Sequence, residues 1–400
     1  MSLLWFLAAV LQCCLLLGLW FHGRRVARQQ RGDGAPPVDQ WPMHKGKVKN
    51  LPVAAMFIPV AGDHPAIPAS LRSLLQQDYP RLLPVCVTAT SDDPAVAVIR
   101  ALREEFPELR HVVAGKAAAC GQKNFNTLRG IAAVGAEADI YVFCDSTHTA
   151  RPDFVRQLIW PVACGETAFS TGYHQVVAED HSPVTLAYEI CVMLMRLLQS
   201  AALFTQPWGG AMAMSRPAFE RYDIAAFWKD KVVDDCSLAA LLLRHRLPVR
   251  ACPHALLDTP ARAHRMDTWR AWMDRQVLFL KFCVPAQWWL LGLLAFVMTL
   301  PPVVSAFAVL GGATGVMPAR GAWLTLGGAI HLGVLGWAML GWRELSPRPV
   351  AALAWLKGFA LASGMFARVY VDSLRADSIL WHGIRYFVGK EGAVQRMERE

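Results

Sequence analysis

Leu3 to Phe21 is an uncharged apolar run, long enough as a helix to cross about 30 Å of hydrocarbon, and His22, Arg24, Arg25, Arg28 and Arg31 follow it. A chain that opens this way folds around a membrane anchor, with the basic flank and the segment after it in the cytoplasm. A removable signal would carry basic residues before the run and a small-residue cleavage site after it; neither is there, so the anchor is expected to be retained. Three further apolar runs, Gln287 to Leu310, Ala322 to Leu340 and Val350 to Val371, bring the expected spans to four, although the last carries Lys357 and Arg368. A hydrophobic content of 54% exceeds what one soluble domain needs and supports the same reading.

The net charge of +9 comes with no nucleic-acid-binding signature, so no nucleic-acid partner is expected. A basic surface beside apolar spans suits anionic headgroups and a nucleotide diphosphate. Ten cysteines without a C-x-x-C pair suggest neither a zinc site nor a disulfide framework and fit a reducing compartment.

Between the apolar ends the patterns change. Gly32 to Gln40 is rich in Gly and Pro and reads as a linker. Val53 to Val60, Leu83 to Thr88 and Ile140 to Cys144 read as buried strands, and Ser70 to Gln77 and Pro94 to Glu105 as helices. Such alternation predicts an α/β fold with a parallel sheet flanked by helices, its ligands beyond the carboxyl ends of the strands. Asp92, Asp93 and Asp145 then gather at one edge. Tyr188 to Phe204 and Thr268 to Phe282 mix apolar, aromatic and charged residues and read as helices against lipid headgroups. The expected organisation is an anchor at 1–22, a basic linker at 23–50, a catalytic domain at 51–265, an amphipathic interfacial segment at 266–285, transmembrane helices at 286–372 and a tail at 373–400.

Sugar transfer from a nucleotide diphosphate needs a cation for the leaving group, a base for the acceptor hydroxyl and a cleft that fixes both substrates. Asp145, at a strand end, is a hard oxygen donor suited to Mg2+ or Mn2+; a turn or helix-capping role is the plain alternative. Asp92 and Asp93 suit the donor's base or ribose, or cap the helix that begins at Pro94. Asp234 and Asp235 adjoin between apolar segments, where burial and like charge raise one pKa toward the range of a general base; helix capping competes here too. Gly209 and Gly210 permit close backbone approach to a ligand. Lys123 and Asn126 are placed to reach phosphate, and Arg275 to cover the diphosphate from the membrane side.

In order, these pieces resemble the ceramide glucosyltransferase family, within the processive and lipid-linked GT-A (Rossmann-like) glycosyltransferases. The resemblance runs from Pro59 and Gln77-Asp78-Tyr79-Pro80 through Asp92-Asp93-Pro94-Ala95, Lys123, Asn126, Cys144-Asp145-Ser146 and Asp235 to Ile379, Trp381, Gly383 and Tyr386. It implies that Asp93 and Asp145 are the first two acidic sites and Asp235 the third, the catalytic base. The family's Gln/Arg-x-x-Arg-Trp motif appears as Trp272-Met273-Asp274-Arg275-Gln276, keeping only the arginine, and no histidine between Tyr188 and Gln206 matches the family's. The resemblance implies an inverting, metal-dependent transfer of a sugar, glucose first, from a UDP-sugar to a membrane lipid. Ceramide, a hopanoid, a sterol and a diacylglycerol all remain open as acceptors, as do UDP-N-acetylglucosamine and UDP-galactose as donors. The site is expected on the cytoplasmic face of a multi-pass protein, as in a bacterial inner membrane. A processive polysaccharide synthase and an inactive membrane scaffold are the rival readings. Four spans put the C terminus outside, whereas Arg385, Lys390, Arg396 and Arg399 favour the inside.

Overall fold

The computed structural model describes residues 2–316 and 321–399. Met1, residues 317–320 and Glu400, which belong to the expected anchor, transmembrane region and tail, lie outside the described residues. The first helix, α1 (Ser2–Gln30), continues past the apolar run through the arginines.

Then come β1 (Ala54–Pro59), α2 (Ile67–Leu75), β2 (Leu82–Thr88), α3 (Ala95–Glu105), β3 (Arg110–Val113), α4 (Gln122–Val134) and β4 (Ile140–Cys144). The apolar runs become strands covered on both faces. Ala54, Met56 and Ile58 of β1 enter one core with α2 and α3, while Ala55 and Phe57 enter a second core with α4. β1 lies between β2 and β4, parallel to both, and β3 extends the parallel set beyond β2.

The chain continues through α5 (Phe154–Ala163), β5 (Phe169–Ala178), α6 (Pro183–Ser200), β6 (Ala211–Ser215), α7 (Arg216–Arg221), α8 (Ile224–Trp228), α9 (Asp235–His245) and β7 (Arg250–Ala261). The sheet has seven strands in the order β3-β2-β1-β4-β6-β5-β7. The parallel expectation holds for every strand of the sheet but β6, which returns between β4 and β5 and runs antiparallel to both, while β7 pairs parallel with β5. That return carries the Gly209-Gly210 segment to the carboxyl end of β4, where the Asp145 N–H meets the Gly210 carbonyl at 3.4 Å.

Four long helices follow: α10 (Met266–Cys283), α11 (Pro285–Ala313), α12 (Ala322–Trp342) and α13 (Ala352–Ser373). Among the described residues, three helices are long and apolar enough to cross a membrane: Leu3–Gln30, Pro285–Ala313 and Ala322–Leu345. This corrects the expected four. α13 carries Lys357 and Arg368 and packs Trp355, Phe359, Ala362 and Phe366 into the same core as Leu186 and Ile190 of α6. Tyr188 to Phe204 and Thr268 to Phe282, the helices expected against headgroups, each bury one face in protein. Leu186 to Met193 of α6 are buried, as are Trp269, Met273 and Phe279 of α10, so these faces meet protein. Mixed composition reads alike in both settings.

Polar groups lace the three candidate spans together. The Trp5 indole donates to Ser305 Oγ (3.0 Å), Ser305 Oγ meets His331 Nδ1 (2.7 Å), and His331 Nε2 meets Gln12 Oε1 (3.1 Å). After α13, β8 (Ser378–Trp381), β9 (Ile384–Val388) and β10 (Val394–Arg399) form an antiparallel sheet. It docks on the catalytic domain: the Val232 N–H donates to the Gly392 carbonyl (2.9 Å), the Val394 N–H to the Asp230 carbonyl (2.7 Å), and Arg399 Nη2 to the Ala117 carbonyl (2.8 Å).

Candidate active site

Strand ends bring the acidic residues to one edge of the sheet. Beyond β2, Asp93 Oδ1 accepts the N–H groups of Gly62 and Ala95, both at 2.9 Å, so it caps α3 and ties down the loop after β1. Asp92 is exposed, and the Thr90 hydroxyl holds its carboxyl below the usual range. Beyond β4, Asp145 Oδ1 meets Lys123 Nζ at 2.8 Å. The same ammonium lies 3.2 Å from Asp234 Oδ2 and donates to the Gly209 carbonyl at 3.2 Å. Lys123 thus joins α4, β4, the glycine segment and the start of α9. Burial works against its charge, but Asp145, Asp234 and Asp235 outweigh burial and raise its pKa.

Asp235 Oδ2 accepts the Gly209 N–H (2.9 Å) and Oδ1 the Cys236 N–H (2.6 Å), which fixes the carboxylate plane. Burial first, and then the charge of Asp234, push its pKa up to about 6 against the pull of Lys123 and the two N–H groups. Asp234 is fully buried and has Lys123 as its charge partner, so the adjacent pair divides into a buried anchor for lysine and a more accessible carboxylate. Gly209 is required sterically, because a Cβ there would lie 2.8 Å from both Asp234 oxygens and from Lys123 Nζ. A Cβ on Gly210 would enter the Trp208 ring.

A wall beside Asp145 was not singled out in the sequence. The Trp208 indole stacks on His174 (4.8 Å, 12°) and lies 4.9 Å from Tyr173 and 5.4 Å from His148. His148 Nδ1 and His174 Nδ1 both meet Thr259 Oγ1, at 2.8 and 2.7 Å. Burial lowers the pKa of His148 to about 4, so its ring is neutral at neutral pH. The only local signal was the short distance from Asp145 to His148 along the chain.

On the helix side, Tyr188 stacks on His264 (4.5 Å, 13°) and meets Trp272 edge-on at 5.1 Å. Arg275 lies near Tyr188, and burial lowers its pKa. Partial burial and then Arg275 also lower the pKa of His382 in the β8–β9 turn, where Asp145 and Asp93 act in the opposite sense. Asn126 is buried and its Oδ1 accepts from Gln122 Nε2 at 2.8 Å, while the Gln122 N–H donates to the Tyr386 hydroxyl at 3.3 Å.

Among the described residues no three His, Cys, Asp or Glu side chains converge as a metal cage made by protein alone. Asp145 nevertheless directs one oxygen to Lys123 and the other toward His148 Nε2, 3.9 Å away. That donor set fits a divalent cation that takes its remaining ligands from phosphates and water.

The chain is similar in fold to the mannosyltransferase PcManGT from Pyrobaculum calidifontis, solved in complex with GDP-Man and Mn2+, with 17% identity, a TM-score of 0.51, and 91% of this chain and 99% of that one covered. A lesser likeness, with 20% identity and a TM-score of 0.37, links 60% of this chain to 82% of glucosyl-3-phosphoglycerate synthase from Mycobacterium tuberculosis, solved with Mn2+ and UDP-glucose. On the likeness to the mannosyltransferase, the α/β fold is of the GT-A type that the sequence predicts. The profile of glycosyl transferase family 21 matches residues 38–394, from just past the anchor to the last strand, and the chain belongs to that family of glycosyltransferases.

Proposed function

We propose that this glycosyltransferase transfers a hexose, glucose first among the candidates, from a UDP-sugar to the hydroxyl of a membrane lipid such as ceramide or a hopanoid, at the cytoplasmic face. The observation that carries this reading is Asp235. Its carboxylate is oriented by two backbone N–H groups, raised in pKa, and placed beside the Lys123–Asp145 pair. Such a group suits a base that works near neutral pH.

The acceptor oxygen attacks the anomeric carbon as the bond from that carbon to the diphosphate oxygen breaks. Asp235 takes the hydroxyl proton, UDP leaves with the bonding pair, and one displacement inverts an α-linked donor to a β-glycoside. Lys123 faces the leaving diphosphate, held there by Asp145 and Asp234. Asp92 and Asp93 receive the nucleoside, Gly209 and Gly210 let the backbone approach the sugar, Asn126 supports the loop that Gln122 holds, and Arg275 closes over the phosphates from α10. Mg2+ or Mn2+ bound through Asp145 would supply further positive charge to the diphosphate. The lipid enters from the side of α6 and α10, past Tyr188, His264 and Trp272. The arginines that end α1 favour the cytoplasmic side for this domain.

The test is UDP release by purified protein in detergent from a panel of UDP-sugars, with and without Mn2+ or Mg2+ and lipid extract, beside an Asp235→Asn control. Lipid-stimulated, metal-dependent release that the control abolishes supports the reading and names the donor. No release with any donor or lipid rejects it in favour of a scaffold.

A further inference from the structure

We propose that His148 is, with Asp145, a direct ligand of the divalent cation that also takes the donor's diphosphate oxygens, and that its nitrogen makes the site prefer Mn2+ to Mg2+. The inference rests on the nucleotide-sugar reading above for the diphosphate, and on this chain's own residues for the rest.

His148 is held in place. Its residue is 8% exposed, and its carbonyl accepts the Ser70 hydroxyl. Its neighbour Thr149 exchanges two backbone hydrogen bonds with Asp258, both at 2.8 Å, which clamps the turn after Asp145 onto β7. The rings of His174 (4.7 Å) and Trp208 (5.4 Å) wall the imidazole in.

One shared hydroxyl couples the tautomers of the two rings. Thr259 Oγ1 meets Nδ1 of both His148 and His174 and has a single proton to give. One ring therefore accepts that proton at Nδ1 and the other donates from Nδ1–H. With His148 as the donor, its Nε2 keeps a lone pair, the arrangement in which a hydroxyl behind the ring orients a metal-ligating histidine.

In that tautomer the lone pair faces Asp145. The carboxylate already has Oδ1 on Lys123 and turns Oδ2 toward His148 Nε2 at 3.9 Å, too far for a hydrogen bond. Two ligand atoms about 2.1 Å from one octahedral ion lie about 3 Å apart when adjacent and about 4.2 Å apart when opposed, so one ion spans the gap with little movement. Mg2+ favours oxygen alone, whereas an imidazole nitrogen shifts preference toward transition-series ions.

The test is pulsed EPR and equilibrium binding of Mn2+ to the full-length protein in detergent with UDP. Wild type is expected to show nitrogen coupling from a directly bound imidazole. His148→Gln should lose that coupling and bind Mn2+ at least tenfold more weakly, with Mg2+ affinity changed less than threefold. His148→Asp, which restores an oxygen ligand, should bind Mn2+ without nitrogen coupling and narrow the Mn2+ preference; it also guards against a Gln variant that merely misfolds. No bound Mn2+, bound Mn2+ without nitrogen coupling in wild type, or coupling that persists in both variants overturns the assignment. These readouts need no turnover, so failure of sugar transfer with nitrogen coupling intact rejects the donor reading and leaves His148 a ligand.

Discussion

At the scale of single residues, the site depends on how one buried cation is shared among three carboxylates. Asp235 is the one whose proton affinity is raised, and a base must be deprotonated to act, so kcat/KM should fall about tenfold per pH unit below about pH 6 and level off above it. The same shift has a stability consequence. A carboxyl whose folded pKa lies above its ordinary 3.8 destabilises the fold once ionised: the penalty is absent at pH 3 and grows as pH rises through about 6. Asp235→Asn is therefore expected to cut turnover by about a thousandfold while raising the apparent Tm at pH 7.5 by about 2 °C, a gain that vanishes in acid. Equal Tm values across that pH range would contradict the raised pKa. Gly209→Ala pushes a methyl against Asp234 and Lys123, and a displacement of that size should cost about a hundredfold in kcat with the fold retained by circular dichroism.

At the scale of elements, the ends of helices explain how the catalytic domain and the C-terminal region hold together. Lys281 of α10 donates to the carbonyls of Ser373 (2.6 Å), Leu374 (3.2 Å) and Ala376 (2.7 Å), which satisfies the C-terminal end of α13 and sets the start of β8. Lys281→Met keeps the stem and strips the donors, and should cost about 1–3 kcal/mol, read as a Tm drop in detergent, with Lys281→Arg recovering part of it. The strands were legible because an apolar run covered on both faces has a local signature, and Ile140–Cys144 matches its expected bounds residue for residue. The packing of α6 and α10 against α13 was not legible, because apolar residues mixed with Arg and Glu look the same against lipid polar groups and against another helix.

At the scale of the whole molecule, three candidate spans rather than four change the topology. The C-terminal sheet touches the catalytic domain through Val232, Asp230, Ala117 and Gln122, so both lie on one side of any membrane the three helices cross. That resolves the conflict between four spans and the basic C-terminal residues. An epitope inserted after Val316 should be cleaved by protease from the face opposite the catalytic domain, and one appended to the C terminus should be protected in the same sealed, right-side-out vesicles. Protection of the first or cleavage of the second would contradict this topology. The sequence alone determined the anchor, the α/β alternation and the acidic positions at the ends of strands, because charge, apolar length and period are properties of neighbours along the chain. Only the tertiary structure decided that Lys123 binds Asp145 and Asp234, that Thr259 serves both His148 and His174, and that the chain ends beside its own active domain. Those pairings depend on the return of β6 between β4 and β5 and on α13 packing against α6, and contacts between distant segments leave no periodic trace in the residues that make them.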